Sequence, residues 1–381
     1  MNPITLLQPP RIVFGENCAL QVAAWLGERG VRRPLLVSST PVLPALGAVL
    51  AALQDSGVEV ISAPPVDSEP TCGLFQKILL AARAESVDGV LGIGGGSALD
   101  VSKLVAALFH GQQTTHEVFG INLLRGRQLP LVCLPTTAGT GSEVSPNAIL
   151  LDEVDELKKG VVSPYLVPDA AYVDPLLTLS VPPAVTAATG LDALTHCIEA
   201  YANKFSHPLV DAYALQGIRL ISSSLVQAVH HGQDREARAA MALGSLCGGL
   251  CLGPVNTAGV HALAYPLGGK FHVAHGVSNA LLLPHVMRFN LAAAPERYAE
   301  IAVAFGVAPA ASPQETAERG VEFLSRLSRD CGVPRKLSEL KISRESIPGM
   351  ARAAMQVTRL LKNNPRPLTE ADAVRIYEAA I

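Results

Sequence analysis

Through the first 180 residues, short apolar runs alternate with stretches of helical periodicity. RPLLVSS (33–39), VEVISAP (58–64), DGVLGIGGGS (88–97) and LPLVCLPTT (129–137) are apolar runs bounded by turn residues, and they predict strands. PALGAVLAALQDSG (44–57), CGLFQKILLAARAES (72–86) and ALDVSKLVAALFHG (98–111) repeat apolar residues at three- and four-residue intervals and predict helices. Strand–helix alternation of this kind predicts a parallel sheet covered on both faces. Past LSVPPAV (179–185) the pattern changes to long helical periods: 184–203, 208–232, 234–253, and the tail from SPQETAERGVEFLSRLSRDCG (312–332) onward. No strand is predicted there. A boundary at Pro182–Pro183 divides the chain into an α/β domain, 1–182, and an all-helical domain, 183–381.

Composition agrees with two compact domains. The 381 residues exceed one ordinary core, 49% are hydrophobic and 17% charged. A net charge of −3 with both signs interspersed offers nothing to a nucleic acid, so no such partner is expected. Seven cysteines, an odd number and far apart, read as reduced thiols rather than a disulfide framework. Cys247 and Cys251 lie four apart, but no second pair completes a zinc-ribbon spacing, so they read as small buried residues. MNPITLLQPPRIVFGEN (1–17) shows no charged region followed by an apolar core. No run of about 18 apolar residues occurs anywhere. A cytoplasmic protein without a membrane partner is expected.

Four clusters carry candidate chemistry. GIGGGSALDVSK (92–103) follows a predicted strand and opens a helix; the amides of Gly95, Gly96 and Ser97 at the helix start suit a pyrophosphate. Its spacing is not that of the dinucleotide fingerprint, and a tight turn without ligand is the alternative. PTTAGTGSEVSPN (135–147) also follows a strand, and Thr136, Thr137, Thr140 and Ser142 bring hydroxyls for ribose and phosphate oxygens. Two such loops at strand ends of one sheet mark the crevice where open α/β sheets bind ligands. In GLDALTHCIEAY (190–201), Asp192 and His196 share a helix face. GVHALAYPLGGKFHVAHGVSNA (259–280) holds three of the chain's ten histidines and no acid. Asp192 and His196 with His261 and His275 make a set for Fe(II) or Zn(II). On spacing alone His272 and His285 are equally available, and an Asp–His pair four apart also serves as an ion pair.

Together GGGSALDVSK, PTTAGTGSEVS, TGLDALTHCIEAY and HALAYPLGGKFHVAHGVSNALLLPHVMRFN resemble the iron-containing (group III) alcohol dehydrogenases, in unbroken order to about residue 290. The resemblance implies a dinucleotide-binding α/β domain, a helical metal-binding and substrate domain, a site in the cleft between them and a homo-oligomer. It makes Asp192, His196, His261 and His275 the metal ligands and leaves His272 and His285 outside them. It places Gly95, Gly96 and Ser97 on the pyrophosphate, with Asp100 at the start of the following helix. Thr136, Thr137, Thr140 and Ser142 line the nicotinamide side, Lys158 or its neighbour Lys159 lies near the cofactor, and Asn147 lies close to the substrate. Two departures stand out. Where many NAD-preferring members carry an aspartate after the first strand, this chain has Ser39, which opens NADP as a cofactor beside NAD. Where members often carry a proton-relaying histidine four residues after the third ligand, it has Tyr265, so the relay falls to that hydroxyl, His272, a ribose hydroxyl or water.

The implied reaction is metal-dependent hydride transfer between an alcohol and an aldehyde or ketone, with NAD or NADP. Alternatives are a hydroxy-acid dehydrogenase or hydroxyacid–oxoacid transhydrogenase, suggested by Lys270 and His272, and further off a metal-free maleylacetate reductase-like enzyme or a dehydroquinate synthase-like lyase.

Overall fold

The computed structural model describes residues 3–155 and 157–381, and its contacts divide them into two units. The first, Leu6–Val181, is α/β. Its strands are β1 (Arg11–Phe14), β2 (Pro34–Val37), β3 (Ile61–Ser62), β4 (Gly89–Gly94), β5 (Gly120–Ile121), β6 (Leu131–Pro135), β7 (Asn147–Asp152), β8 (Leu157–Val162) and β9 (Ala170–Val173). Six of them form an all-parallel sheet in the order β1-β9-β6-β4-β2-β3. Helices α1 (Val22–Glu28), α2 (Gly47–Asp55), α3 (Cys72–Ala84), α4 (Gly96–Leu108) and the short α5 (Thr115–Val118) belong to the same unit.

Side chains alternate between two cores, as a strand buried on both faces demands. Leu35, Val90, Leu131 and Cys133 enter one core with Phe75 and Ile78 of α3 and Leu104 of α4. Leu36, Leu91, Val132 and Leu134 enter the other with Trp25 of α1 and Val49 and Leu53 of α2. The chain leaves β2 for β3 on one side and returns to β4 on the other, so the sheet reverses its winding between β2 and β4. The predicted strands and helices of this half all appear, and VEVISAP shrinks to the two residues of β3. A second sheet, β5-β8-β7, was not expected; β7 and β8 form an antiparallel hairpin whose β7 residues alternate half-buried and buried.

The second unit, Pro182–Ile381 with residues 3–5, is helical: α6 (Pro183–Tyr201), α7 (Pro208–His230), α8 (Arg235–Leu252), α9 (Gly259–Phe271), α10 (His275–Asn290), α11 (Pro295–Ala304), α12 (Pro313–Asp330), α13 (Ile347–Met355), α14 (Thr358–Leu361) and α15 (Glu370–Ala379). Among the described residues no strand follows Val173, and no helix is long and apolar enough to cross a membrane. Helix α6 is buried almost all round by α7, α8 and α10. Buried helices tolerate few polar residues, so those that α6 carries stand out: Thr186 near its start, then Asp192, Thr195, His196 and Glu199.

The approach of α10 to α6 is set by Gly276, second residue of α10. A Cβ there would lie 2.3 Å from the carbonyl oxygen of Ala188 on α6, a backbone atom that cannot swing aside. This contact seats the start of α10, and with it His275, against the helix that carries Asp192. Gly276→Ala is therefore expected to destabilise the protein by about 1–3 kcal/mol, the usual range for overpacking. Thermal unfolding of the variant beside wild type measures it.

Candidate functional site

The polar stripe of α6 meets α9 and α10 at one point. Oδ1 of Asp192 lies 3.8 Å from Nε2 of His196, 3.6 Å from Nε2 of His261 and 3.8 Å from Nε2 of His275. Donor atoms of Asp192, His261 and His275 all fall within 4.8 Å of one another. His196 stands one helical turn from Asp192, with its ring stacked on that of His261 at 4.9 Å. A tetrahedral ion with bonds of about 2.0–2.2 Å needs ligand atoms about 3.3–3.6 Å apart. The distances from Asp192 are close to that; Asp192, His261 and His275 form the tighter part of the cluster, and His196 joins it through Asp192. One carboxylate and three imidazoles are a donor set for Fe(II) or Zn(II). Asp192, His196 and His261 are buried, whereas the His275 side chain is 33% exposed and marks the open side.

The electrostatics fit a cation. Burial opposes the charge on Asp192, yet the imidazoles of His196, His275 and His261 hold its carboxyl well below the usual range. Burial alone would lower the His261 imidazole; Glu199 and then Asp192 override it and push it up to about 9. Two further side chains complete the cage. Glu199, two helical turns after Asp192, lies 2.6 Å from Nδ1 of His261. Asn279, one turn after His275, donates from Nδ2 to Asp192 at 2.6 Å and lies 3.1 and 3.2 Å from Nε2 of His261 and His275. A carboxylate only accepts, so the amide nitrogen must be the atom that faces Asp192. Neither residue was expected from the sequence. For Glu199 a signal was present: DALTHCIE repeats polar residues at i, i+4 and i+7 within an apolar helix.

Of the other expected residues, Tyr265 lies one turn after His261, its ring 6.3 Å from that of His275 and its hydroxyl 3.5 Å from Nη2 of Arg359. His272 caps the C-terminus of α9 in a left-handed conformation, φ 54°, and is exposed. His285 is a part-buried residue of α10.

In the α/β unit the two loops flank the C-terminal ends of β4 and β6. Helix α4 starts at Gly96 with Gly95 as its cap and no side chain on its first amides, so the N–H groups of Gly96 and Ser97 point out of a half-exposed helix start. Gly96 is also what lets the loops touch, since a Cβ there would lie 2.5 Å from Cγ2 of Thr140. Thr136 is buried and donates its backbone N–H to Gly94; Thr137 and Thr140 are half-buried. Asp100 and Ser142 turn to one another: the Ser142 hydroxyl and the Ile149 N–H both donate to the Asp100 carboxylate. Lys103, fully buried, donates to the carbonyl oxygen of Asn147 at 2.8 Å and the hydroxyl of Ser145 at 3.3 Å, and was missed from the sequence. Burial pushes its ammonium down and Asp100 opposes that. Asn147 opens β7, and its side-chain oxygen is buried without a hydrogen-bond partner. Lys158 is buried and pairs with Glu69, while Lys159 faces the opposite side of β8 toward Asp152 and Asp155. Ser39, half-buried, follows β2.

Known proteins match along the whole chain. The family profile described as "Iron-containing alcohol dehydrogenase" matches residues 9–175, and that described as "Fe-containing alcohol dehydrogenase family, C-terminal" matches residues 186–381. The long-chain-alcohol dehydrogenase 1 of Geobacillus thermodenitrificans is 41% identical, over 100% of this chain and 97% of that protein. The 1,3-propanediol dehydrogenase of Klebsiella pneumoniae is 36% identical, over 97% and 94%. A crystal structure of a 1,3-propanediol oxidoreductase superposes with a TM-score of 0.96 at 36% identity, covering 100% of both chains.

If the cage holds a divalent ion, Zn(II) at about a hundred times its Kd should stabilise the wild-type protein by about 2.7 kcal/mol. The same addition should leave Asp192→Ala unmoved, and that variant should retain little metal by elemental analysis. Equal metal content in the two proteins would count against the cage.

Proposed function

Because this chain belongs to the iron-containing alcohol dehydrogenase family and is an alcohol/aldehyde oxidoreductase, we propose that it transfers hydride between a primary or secondary alcohol and NAD at a divalent metal, Fe(II) or Zn(II), held by Asp192, His196, His261 and His275. The observation that carries this reading is one buried carboxylate oxygen standing 3.6–3.8 Å from three imidazole nitrogens. When bound, such an ion lowers the pKa of an alcohol hydroxyl and polarises a carbonyl.

The rest is done by the chain's own residues. Asp192 balances part of the ion's charge, and His275, on the open side, borders the place where substrate enters. Tyr265 takes the proton-relay role: its ring lies beside His275, whereas His272 turns outward at the end of α9. Arg359 orients the Tyr265 hydroxyl. Gly95, Gly96 and Ser97 bind the pyrophosphate through backbone amides at the start of α4, and Thr136, Thr137, Thr140 and Lys158 line the nicotinamide side. The unpartnered oxygen of Asn147 is an acceptor for an incoming N–H or O–H donor. Asp100 and Ser142 act by fixing the loop rather than by contact, since their polar atoms bond to one another and to the backbone.

Support for NAD over NADP comes from the end of β2. Ser39 brings no carboxylate, but Asp67 supplies one beside it: its two oxygens accept from the N–H and the hydroxyl of Thr40, each at 2.7 Å. Arg32 and Arg33, the nearest cations in sequence, sit at the opposite end of the strand, where Asp88 holds their backbone amides and Glu59 the Arg33 guanidinium. A 2′-phosphate at the end of β2 would thus meet a negative charge. Free thiols at all seven cysteines suit a reducing compartment, and we place the protein in the cytoplasm as a homo-oligomer.

Steady-state assays with short alcohols and aldehydes, after loading with Fe(II) or Zn(II), test the reading. Turnover should vanish on chelation and return with metal. NAD should exceed NADP in kcat/KM by at least about tenfold, the ratio that 1.4 kcal/mol of repulsion produces. Asp67→Asn should narrow that gap. Metal-independent turnover would refute the metal reading, and an NADP preference would refute the role of Asp67.

A further inference from the structure

We propose that Glu199 is a positioning residue for the metal site: its carboxylate holds His261 in the tautomer that leaves Nε2 free to bind an ion, and ties that tautomer to the start of α9. This rests on the reading of Asp192, His196, His261 and His275 as a metal cage. Glu199 itself touches neither the ion nor the substrate.

The geometry is specific. Glu199 is 5% exposed, and its two oxygens serve three donors. Oε1 accepts from the N–H of Val260 at 2.6 Å, and Oε2 accepts from the N–H of Ala258 at 3.0 Å and lies 2.6 Å from Nδ1 of His261. Ala258 and Val260 bracket the first residue of α9, a helix whose own cap residue, Ala258, has no side chain able to bond its amides. A helix start buried in a protein must find acceptors for those amides. Here the acceptor comes from α6, the same helix that carries Asp192 and His196. An ionised carboxylate has no proton to give, so Nδ1 of a neutral His261 must carry the hydrogen. The lone pair is then on Nε2, the atom that faces Asp192 at 3.6 Å. A carboxylate behind a metal-binding imidazole also makes that imidazole a stronger donor. One buried side chain thus sets the helix start and the ligand's protonation together.

Glu199→Gln keeps the shape and reverses the polarity of the atom that faces Nδ1. Glutamine has one accepting oxygen and one donating nitrogen. If the oxygen stays on the Val260 N–H, the nitrogen takes the place of Oε2 and faces both the Ala258 N–H, which loses its acceptor, and Nδ1, which must then accept; the His261 proton moves to Nε2 and occupies the metal's place. The expected result is a Zn(II) affinity 10–100-fold weaker than wild type, read by competition with a chromophoric chelator, in a folded apoprotein whose thermal midpoint falls because the Ala258 N–H has lost its acceptor. A folded variant with wild-type affinity would overturn the proposal, as would a purely structural signature of lowered stability with affinity unchanged.

A second measurement needs no variant. In Zn(II)-loaded wild-type protein with 15N-labelled histidine, His261 should show a slowly exchanging Nδ1–H and no Nε2–H. An Nε2–H on His261 would overturn the proposal even if Glu199→Gln failed to fold. Wild-type protein that took up no Zn(II) at all would instead sink the cage itself, so the two failures are distinguishable.

Discussion

The structure depends on one carboxylate placed where a carboxylate is least comfortable. Asp192 is 2% exposed, in a helix whose other faces are packed against three neighbours. An isolated charge taken out of water to that degree costs several kcal/mol, and it persists only with partners. Three imidazoles from three helices supply them. Each arrives by a separate structural device: His196 by one turn of the same helix, His261 by the anchored start of α9, and His275 by the close seating of α10 through Gly276. The metal reading follows from this convergence, because one carboxylate and three imidazoles are oxygen and nitrogen donors suited to a divalent transition ion.

The two loops of the α/β unit work on a different principle. There the structure buries its polar side chains in a framework and leaves backbone amides facing out. Lys103 and Asp100, both on α4, reach the 142–149 segment from beneath through Ser142, Ser145 and Ile149 and the carbonyl of Asn147. An acid and a base that would otherwise compete for a ligand's charge are thereby satisfied within the protein. What is left open is the helix start itself, where any attraction for an anion comes from N–H dipoles and glycine rather than from a formal charge.

The sheet was legible because strands buried on both faces have to be apolar nearly throughout, and RPLLV, GVLGIG and LVCLP have few other readings. The hairpin of β7 and β8 was harder. Its residues alternate weakly, and DELKK interrupts the apolar period with charges, of which Lys158 is nonetheless buried against Glu69. Helix α9 was obscured for the opposite reason. It contains Pro266 and two adjacent glycines, which read locally as breakers, and only packing inside the helical unit overrides them. In the site, Asp192 and His196 were visible from spacing, but the choice of His275 over His272 was not. The structure separates them by conformation: one opens α10 and faces Asp192, the other ends α9 with positive φ and turns to solvent. Lys103 looks like an ordinary helix charge in the sequence, since nothing there announces that its helix face is buried, whereas Glu199 was marked only by sharing the polar face of Asp192 and His196.

The contact between Gly96 and Thr140 carries a consequence for how this chain can change. The two loops interlock through a missing methyl on one side and a branched side chain on the other. An alanine at 96 would place its methyl 2.5, 2.8 and 3.0 Å from Cγ2, Oγ1 and Cβ of Thr140, so serine at 140 would not make room and only glycine there removes all three atoms. The order of substitution is therefore directional, with 140 leading and 96 following, and a lineage that took the steps in reverse would pass through a form in which the two loops are prised apart.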